Sequence, residues 1–475
     1  LAPGLHRPDP VVARRPRPVG SGPAAGAPTV TGMGTDPVDS RNPVLDGIDL
    51  PLREGVPAWA HPTRRVDPFY SGWWTGSDAF YWSSGEQTRR ALAGARPGRG
   101  LPALPPLDTA WGRLLDGDRV EVTGAVAGVV LSYRTVTVEQ LAGLSGYACT
   151  SKLMDVVWTM HAAGIVDLGR RAQLTGRAQG WRTLGVRPSK GRAWHRRLLT
   201  GLPLSVRWAM TAGKNLRTGG QYARHNLLTS ELLLRLASYH DVVVGGESLA
   251  LVKDLVGDHH ANINRSADGI LVRRDGARVA VETTASAAHN LLGKVARWVD
   301  ALHTGSAGLA VVFLDAAPVG ANPRSLAYMK RMIARALNQG YSSPWFAQAT
   351  ARIFAASWPV WFAPDGPTSR FARLTVERYE TSTGRWQPVD LIGDAAVLDG
   401  SGCGPWLGRG LSSSYATPPW SRRDPYPLWA LGPIGLHAPT PTAPRGAIRA
   451  GLPDKLMPAR ATSAVTWARR NRPGR

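Results

Sequence analysis

The sequence predicts an α+β protein of more than one domain, flanked by terminal regions that do not fold. Three observations support this fold class. The 53 Gly and 38 Pro residues exceed the usual share and concentrate at the two ends of the chain. Helical periodicity dominates residues 120–163, and a mixture of helices and strands begins near residue 221. A chain of 475 residues is long enough to form two or three cores.

The two ends of the chain lack the composition of a folded domain. Residues 1–55 are rich in Pro, Gly and Ala, so they cannot bury enough apolar area to offset the cost of ordering the backbone. Residues 400–475 are rich in Pro, Gly and Ser and end in the basic sequence WARRNRPGR. Both regions are predicted to be disordered, and the second forms a cationic arm.

The net charge of +23 makes a polyanion the expected partner, because counterions released from phosphates favour the binding of Lys and Arg. The alternative is a codon bias towards Arg, which would spread the charge evenly along the chain. The charge is uneven, since residues 169–230 contain 13 Lys or Arg residues and no Asp or Glu. This distribution favours a nucleic acid as the partner.

Cysteine usage and hydropathy predict a cytoplasmic protein without a membrane partner. Cys149 and Cys403 are far apart in the sequence, so a disulfide framework is not expected. No stretch approaches the roughly 18 to 20 apolar residues of a transmembrane helix. The first residues also lack the apolar core of a secretory signal.

Residues 56–115 are notable for aromatic side chains, above all in the window WAHPTRRVDPFYSGWWTGSDAFYW. Such a cluster can form a core or a docking strip, or it can be a platform on which bases stack. The core or docking strip is the more common case, and the sequence leaves the role of this Trp-rich segment open.

Residues 120–187 follow the element order of a winged helix-turn-helix domain. Residues 123–133 are predicted to form a first helix, and residues 138–144 a second, which Thr137 and Gln140 begin as a capping box. A turn at Gly146 precedes a third helix over residues 150–163, and a basic hairpin follows. In such domains the third helix enters the major groove of duplex DNA and the hairpin, or wing, contacts phosphates.

This arrangement predicts two groups of DNA-contacting side chains. The outward side chains of the third helix are Ser151, Lys152, Asp155 and Thr159, and the wing contacts are Arg170, Arg171, Arg177 and Arg182. A small helical domain used for protein contact is the alternative, and the basic wing favours DNA. Residues 188–220 form a basic connector to the next domain.

Residues 221–363 are predicted to form an α/β domain with the order αβββαβ. Asp268 opens the second strand, a turn at Asp275 and Gly276 follows it, and Glu282 ends the third strand. Adjacent antiparallel strands can bring the two carboxylates close enough to share a divalent cation. The sequence ARIFAASWPVWFA, within residues 351–363, is predicted to add an edge strand.

The order and the two acids resemble the restriction-endonuclease-like PD-(D/E)XK fold. The resemblance implies that Asp268 and Glu282 hold Mg²⁺ and that a Lys positions or activates the attacking water. Ala267 stands where Pro is usual, and Thr284 stands where the family has its Lys. Lys294 on the following helix is the candidate replacement, so the candidate catalytic residues are Asp268, Glu282 and Lys294.

Two further groups of residues in the same domain are candidates for a site. Glu231, six residues after His225 on the first helix, could contribute another acid to the pocket. Asp258, His259 and His260 could form a transition-metal site, although adjacent His residues in an extended loop favour a plain surface loop.

Together the two domains resemble the replication-relaxation family of plasmid and conjugative-element proteins. The resemblance rests on RHNLL in the helix, ADG before the second strand, VET at the end of the third strand, and Lys294. It implies an accessory DNA-binding role in plasmid replication or transfer, with duplex DNA and a plasmid relaxase or replication protein as partners. An active Mg²⁺-dependent nicking nuclease and a scaffold protein are the alternatives.

Overall fold

The computed structural model describes residues 46–71, 80–94, 103–171, 181–191, 193–212, 223–256, 265–285, 290–304, 308–317, 325–400 and 414–422. These residues form a mixed α/β structure with a four-stranded and a seven-stranded sheet. None of the helices within these ranges is long and apolar enough to cross a membrane. The predicted disorder of residues 1–45, 401–413 and 423–475 lies outside the described residues. For residues 46–55 the prediction was wrong, because the backbone N–H groups of Ile48 and Arg53 donate to Pro367 O and Ser238 O at 2.7 and 2.9 Å.

The amino-terminal part of the structure is mainly helical. Its elements are β1 (Phe80–Ser83), α1 (Gly85–Ala93), α2 (Leu107–Leu114), α3 (Val120–Tyr133), β2 (Val136–Thr137), α4 (Val138–Ser145), α5 (Ser151–Ala162), β3 (Val166–Arg171), β4 (Gly185–Pro188), α6 (Ala193–Gly201) and α7 (Leu204–Thr211). The predicted capping box is confirmed, because Thr137 accepts from Gln140 N–H and Gln140 accepts from Thr137 N–H.

Strand β1 brings part of the Trp-rich segment into the four-stranded sheet, whose order is β1-β3-β4-β2. All its neighbouring strands are antiparallel. Trp82 lies over Gly169 and Gly185, since a Cβ atom on these glycines would stand 2.8 or 2.9 Å from its ring. This portion of the segment therefore packs on the hairpin, whereas residues 72–79 lie outside the described residues.

Helix α3 is buried except at Glu121 and forms the centre of the amino-terminal part. Helix α7 crosses it closely, because a Cβ atom on Gly124 would stand 2.4 Å from Val206 Cγ1 and one on Gly128 would stand 3.0 Å from Met210 O. Two helices, α6 and α7, thus occupy residues 193–211 of the predicted connector and share the main core.

The carboxy-terminal part contains the seven-stranded sheet. Its elements are α8 (Ala223–Tyr239), β5 (Val242–Gly246), α9 (Val252–Val256), β6 (Gly269–Arg273), β7 (Arg278–Thr284), α10 (Leu291–Thr304), β8 (Leu309–Asp315), α11 (Ser325–Gly340), α12 (Ala347–Thr350), β9 (Ile353–Ser357), α13 (Trp358–Trp361), β10 (Phe362–Ala363), β11 (Gly366–Pro367), α14 (Ser369–Ala372), β12 (Thr375–Glu380) and β13 (Arg385–Asp390).

The predicted order αβββαβ is present as α8, β5, β6, β7, α10 and β8, with the short helix α9 between the first two strands. Strands β5, β6 and β7 are antiparallel, and β7, β8 and β9 are parallel. The prediction of an edge strand within residues 351–363 was wrong. Strand β9 is internal, because β12 and β13 continue the sheet beyond it to Asp390.

Residues 414–422 correct the prediction that the whole region from residue 400 is disordered. Tyr133 Oη donates to Ala416 O at 2.9 Å, and Thr417 Oγ1 donates to Val244 O at 2.9 Å. Ser421 Oγ donates to Val242 O at 2.5 Å. This segment is buried because it satisfies carbonyl groups on β5, the last strand at its end of the sheet.

A buried ionic cluster, formed by Arg65, Asp67, Glu231 and Arg235, joins α8 to the chain before β1. Arg65 Nη2 and Arg235 Nε lie 3.0 and 3.1 Å from Glu231 Oε1. Arg235 Nη2 lies 2.8 Å from Asp67 Oδ2. Gln140 on α4 donates to Glu231 Oε2 at 3.4 Å, so the cluster also reaches the amino-terminal part.

Candidate functional site

The sheet register brings the two predicted acids together. Gly269 pairs with Val281, and the backbone N–H of Asp268 donates to Val281 O at 3.0 Å. Asp268 therefore stands beside Glu282 at the end where β6 begins and β7 finishes. Glu282 lies on a strand with neighbours on both sides, which explains its burial.

Asp268 is held by a histidine and by the backbone. His225 Nε2, from the first turn of α8, lies 2.7 Å from Asp268 Oδ1. The backbone N–H of Thr283 donates to Asp268 Oδ2 at 2.7 Å. The Thr283 and Thr229 hydroxyls lie 2.8 Å apart, which ties this end of β7 to α8.

Glu282 is held by two residues of α10. Trp298 Nε1 donates to Glu282 Oε1 at 2.7 Å, and Lys294 Nζ forms an ion pair with Glu282 Oε2. Lys294 and Trp298 are four residues apart, so they share one face of the helix. The ion pair satisfies a carboxylate that would otherwise be buried without a counter-charge.

The charges of the site control its protonation. Burial raises the pKa of Asp268, but the charge and hydrogen bond of His225 outweigh it and leave that pKa below its ordinary value. Burial lowers the pKa of His225, and Asp268 reverses this to give a raised pKa. Asp268 is therefore ionised at neutral pH and favours the imidazolium form of His225.

Glu282 differs from Asp268 because it is deeper in the protein. Burial and the nearby Asp268 charge raise the pKa of Glu282 to about 7. Burial lowers the pKa of Lys294, but Glu282 and Asp268 outweigh it and the pKa is raised. Lys294 thus stays charged near neutral pH, and its ion pair is complete only above about pH 7.

The site opens to solvent on one side. The side chains of Lys294, His225 and Asp268 are 33%, 20% and 16% exposed, whereas that of Glu282 is 4% exposed. A ligand would therefore meet Lys294, His225 and Asp268 first. Glu282 forms the floor of the site.

The Mg²⁺ expected from the fold resemblance can be tested against this donor set. Each carboxylate already has a cationic partner, His225 for Asp268 and Lys294 for Glu282. Among the described residues, no three or more His, Cys, Asp or Glu side chains are grouped so that they could hold a metal. As arranged, these side chains do not fit a preformed Mg²⁺ site.

The three predicted catalytic residues, Asp268, Glu282 and Lys294, thus meet in one place. The sequence did not predict that His225 would bind Asp268, although His225 belongs to the RHNLL motif on which the family resemblance rests. The expectation that Glu231 adds an acid to the pocket was wrong, because Arg65 and Arg235 bind it in the buried ionic cluster. The predicted alternatives Asp258, His259 and His260 lie outside the described residues.

Most of the described side chains predicted to contact DNA are accessible. Ser151 and Lys152 are exposed on the first turn of α5, Arg170 and Arg182 are exposed at the hairpin, and Arg171 is half-buried. Arg177 lies outside the described residues. Asp155, predicted to face outward, forms an ion pair with Arg119.

Thr159 was predicted to point outward and is instead buried. Its hydroxyl donates to the backbone oxygen of Asp155 at 2.6 Å, and its side chain lies among the apolar residues of α5. Thr159 is buried because it lies three residues after Val156, on the same face of the helix. Thr159 therefore cannot reach DNA from this position.

No protein-family model, no curated protein and no solved structure matches this chain.

Proposed function

We propose that the protein binds duplex DNA through α5 and the adjacent hairpin. The observation that carries the proposal is the exposure of Lys152, Arg170 and Arg182 around a helix whose apolar residues Leu153, Val156 and Val157 are buried. In this proposal α3, β2, α4, α5, β3 and β4 form a winged helix-turn-helix. Helix α5 enters the major groove and the hairpin contacts phosphates.

The biological role we propose is that of an accessory protein in plasmid or conjugative-element replication or transfer. It rests on the resemblance to the replication-relaxation family through RHNLL, ADG, VET and Lys294. A plasmid relaxase or replication protein is the proposed protein partner, and the cytoplasm is the proposed location.

Fluorescence anisotropy with a labelled duplex at several salt concentrations tests DNA binding. Binding should weaken steeply with salt, and Lys152→Ala should lower the magnitude of the salt slope by about 0.9 for each phosphate that the side chain neutralises. Arg331→Ala is the matched control, because Arg331 is an exposed residue of α11, far from α5 in the sequence. Binding to DNA no tighter than to heparin, or no binding, would refute the proposal.

A second candidate function, DNA nicking, is favoured by the convergence of Asp268, Glu282, Lys294 and His225. Such a grouping of acids and bases is typical of sites that move protons. The proposed nuclease belongs to the PD-(D/E)XK class and depends on Mg²⁺, although its donors would have to rearrange to hold the metal. Lys294 in particular would have to leave Glu282.

Supercoiled plasmid distinguishes the two candidates. The protein and its Glu282→Gln variant are incubated with the plasmid in Mg²⁺, in Mn²⁺ or in EDTA. Metal-dependent nicking that is absent in the variant supports the nuclease. Binding by both proteins without nicking supports the accessory role and refutes the second candidate.

A further inference from the structure

Tyr81 is a large aromatic side chain that the fold leaves in solvent. It is 70% exposed, whereas its neighbour Phe80 is buried and Trp82 packs over the glycines of the hairpin. The alternation is that of a strand, in which successive side chains point to opposite faces. Among the described residues, Tyr81 makes no hydrogen bond and no ring contact with another side chain.

The position of Tyr81 in the sheet places it beside a basic residue. Tyr81 pairs with Arg170 across β1 and β3, so the two side chains share one face. Further along the same face, Leu168 pairs with Ser83 and Val186, and Leu168 and Val186 are buried in the main core. Tyr81 and Arg170 therefore lie at the uncovered end of the face that packs on the helices.

The strand directions show which end of the sheet Tyr81 and Arg170 occupy. Strands β1 and β3 are antiparallel, so the beginning of β1 lies beside the end of β3 at Arg171. Arg170 is exposed at this end of β3, and Arg182, three residues before β4, is exposed as well. An aromatic ring next to Arg170 has the chemistry of a nucleic acid contact, in which the ring meets bases or sugars and Arg meets phosphate.

We propose that β1 is part of the DNA-binding surface, with the Tyr81 ring in apolar contact with a base or deoxyribose and Arg170 on an adjacent phosphate. This inference rests on the proposed function. It extends the DNA-binding surface to the Trp-rich segment, in which the described neighbours Phe80 and Trp82 are packed within the fold.

The two side chains make different contributions to salt dependence, which makes the pairing testable by anisotropy. Tyr81→Ala should weaken duplex binding about tenfold without changing the salt slope, because an uncharged ring releases no counterion. Arg170→Ala should reduce the magnitude of the slope by about 0.9. Tyr81→Phe should bind like the unmodified protein, since the contact uses the ring.

Trp345→Ala is the matched control, because Trp345 is 82% exposed at a site far from β1 in the sequence. It should leave binding unchanged. If the unmodified protein does not bind duplex DNA, the proposed function fails. If it binds and Tyr81→Ala binds within twofold of it, only the present inference is overturned.

A second measurement uses the unmodified protein, so its result does not depend on whether the variants fold. Tetranitromethane nitrates accessible Tyr rings, and peptide mass spectrometry can follow the rate at Tyr81. Saturating duplex should slow nitration of Tyr81 several-fold if the ring lies in the contact. An equal rate with and without bound duplex would overturn the inference.

Discussion

Replacing Glu231 by Gln tests whether the buried ionic cluster holds the two parts of the protein together. The Glu231 side chain is fully buried and accepts from Arg65 Nη2 and Arg235 Nε at 3.0 and 3.1 Å. Burial raises the pKa of Glu231, but the charges of Arg65 and Arg235 outweigh it, so the carboxylate is ionised. Glu231→Gln keeps the shape and removes the charge, which leaves two buried guanidinium groups with Asp67 as the remaining acid of the cluster.

Breaking a buried ion pair by removing one partner costs about 3 to 5 kcal/mol, because the other charge stays buried without compensation. Urea unfolding of Glu231→Gln should therefore show a fall of that size in the free energy of unfolding. Glu86→Gln is the control, since its pair with Arg90 lies on the exposed face of α1 and its loss should cost less than about 1 kcal/mol. Equal, small losses in both variants would refute the reasoning.

Three further predictions concern stability, and each can be measured by urea unfolding. Gly85→Ala should destabilise by about 1 to 3 kcal/mol, because its Cβ would stand 2.1 Å from His161 O, whereas Gly112→Ala, with nothing within 4 Å, should stabilise slightly. Thr137→Ala should cost about 1 kcal/mol through loss of the helix cap. Since the pKa of Glu282 is raised to about 7, the folded state holds a proton that the unfolded state has released. The stability of the unmodified protein relative to Glu282→Gln should therefore fall as pH rises from about 4.5 to 7, and a flat difference would contradict this.

The parts of the fold that the sequence predicts correctly are those determined by residues close together in the chain. Strands β6 and β7 are apolar runs separated by a turn at Asp275 and Gly276, and Gly276 has a φ of +93°, which favours glycine. The capping box at Thr137 is likewise local. From such patterns the order αβββαβ and the meeting of Asp268 with Glu282 could be predicted.

The remaining features depend on contacts between distant parts of the chain. His225 joins the site through Asp268, which is 43 residues away, and its helical position alone does not show which neighbour it faces. Thr159 is polar by type, and the packing of α5 decides that it is buried. Residues 414–422 have the composition of a disordered tail, and their place in the structure depends on distant partners: the carbonyl groups of β5, the Tyr133 hydroxyl and Ala209 O.

The segment at residues 414–422 also has a consequence for synthesis of the chain. Thr417 binds Val244 across 173 residues. At about 5 to 20 residues per second, a ribosome needs on the order of 10 to 30 s to add that length after it has made β5. Throughout that interval the strand at the end of the sheet lacks this cover, so a nascent chain is open to intermolecular strand pairing until residues 414–422 are made.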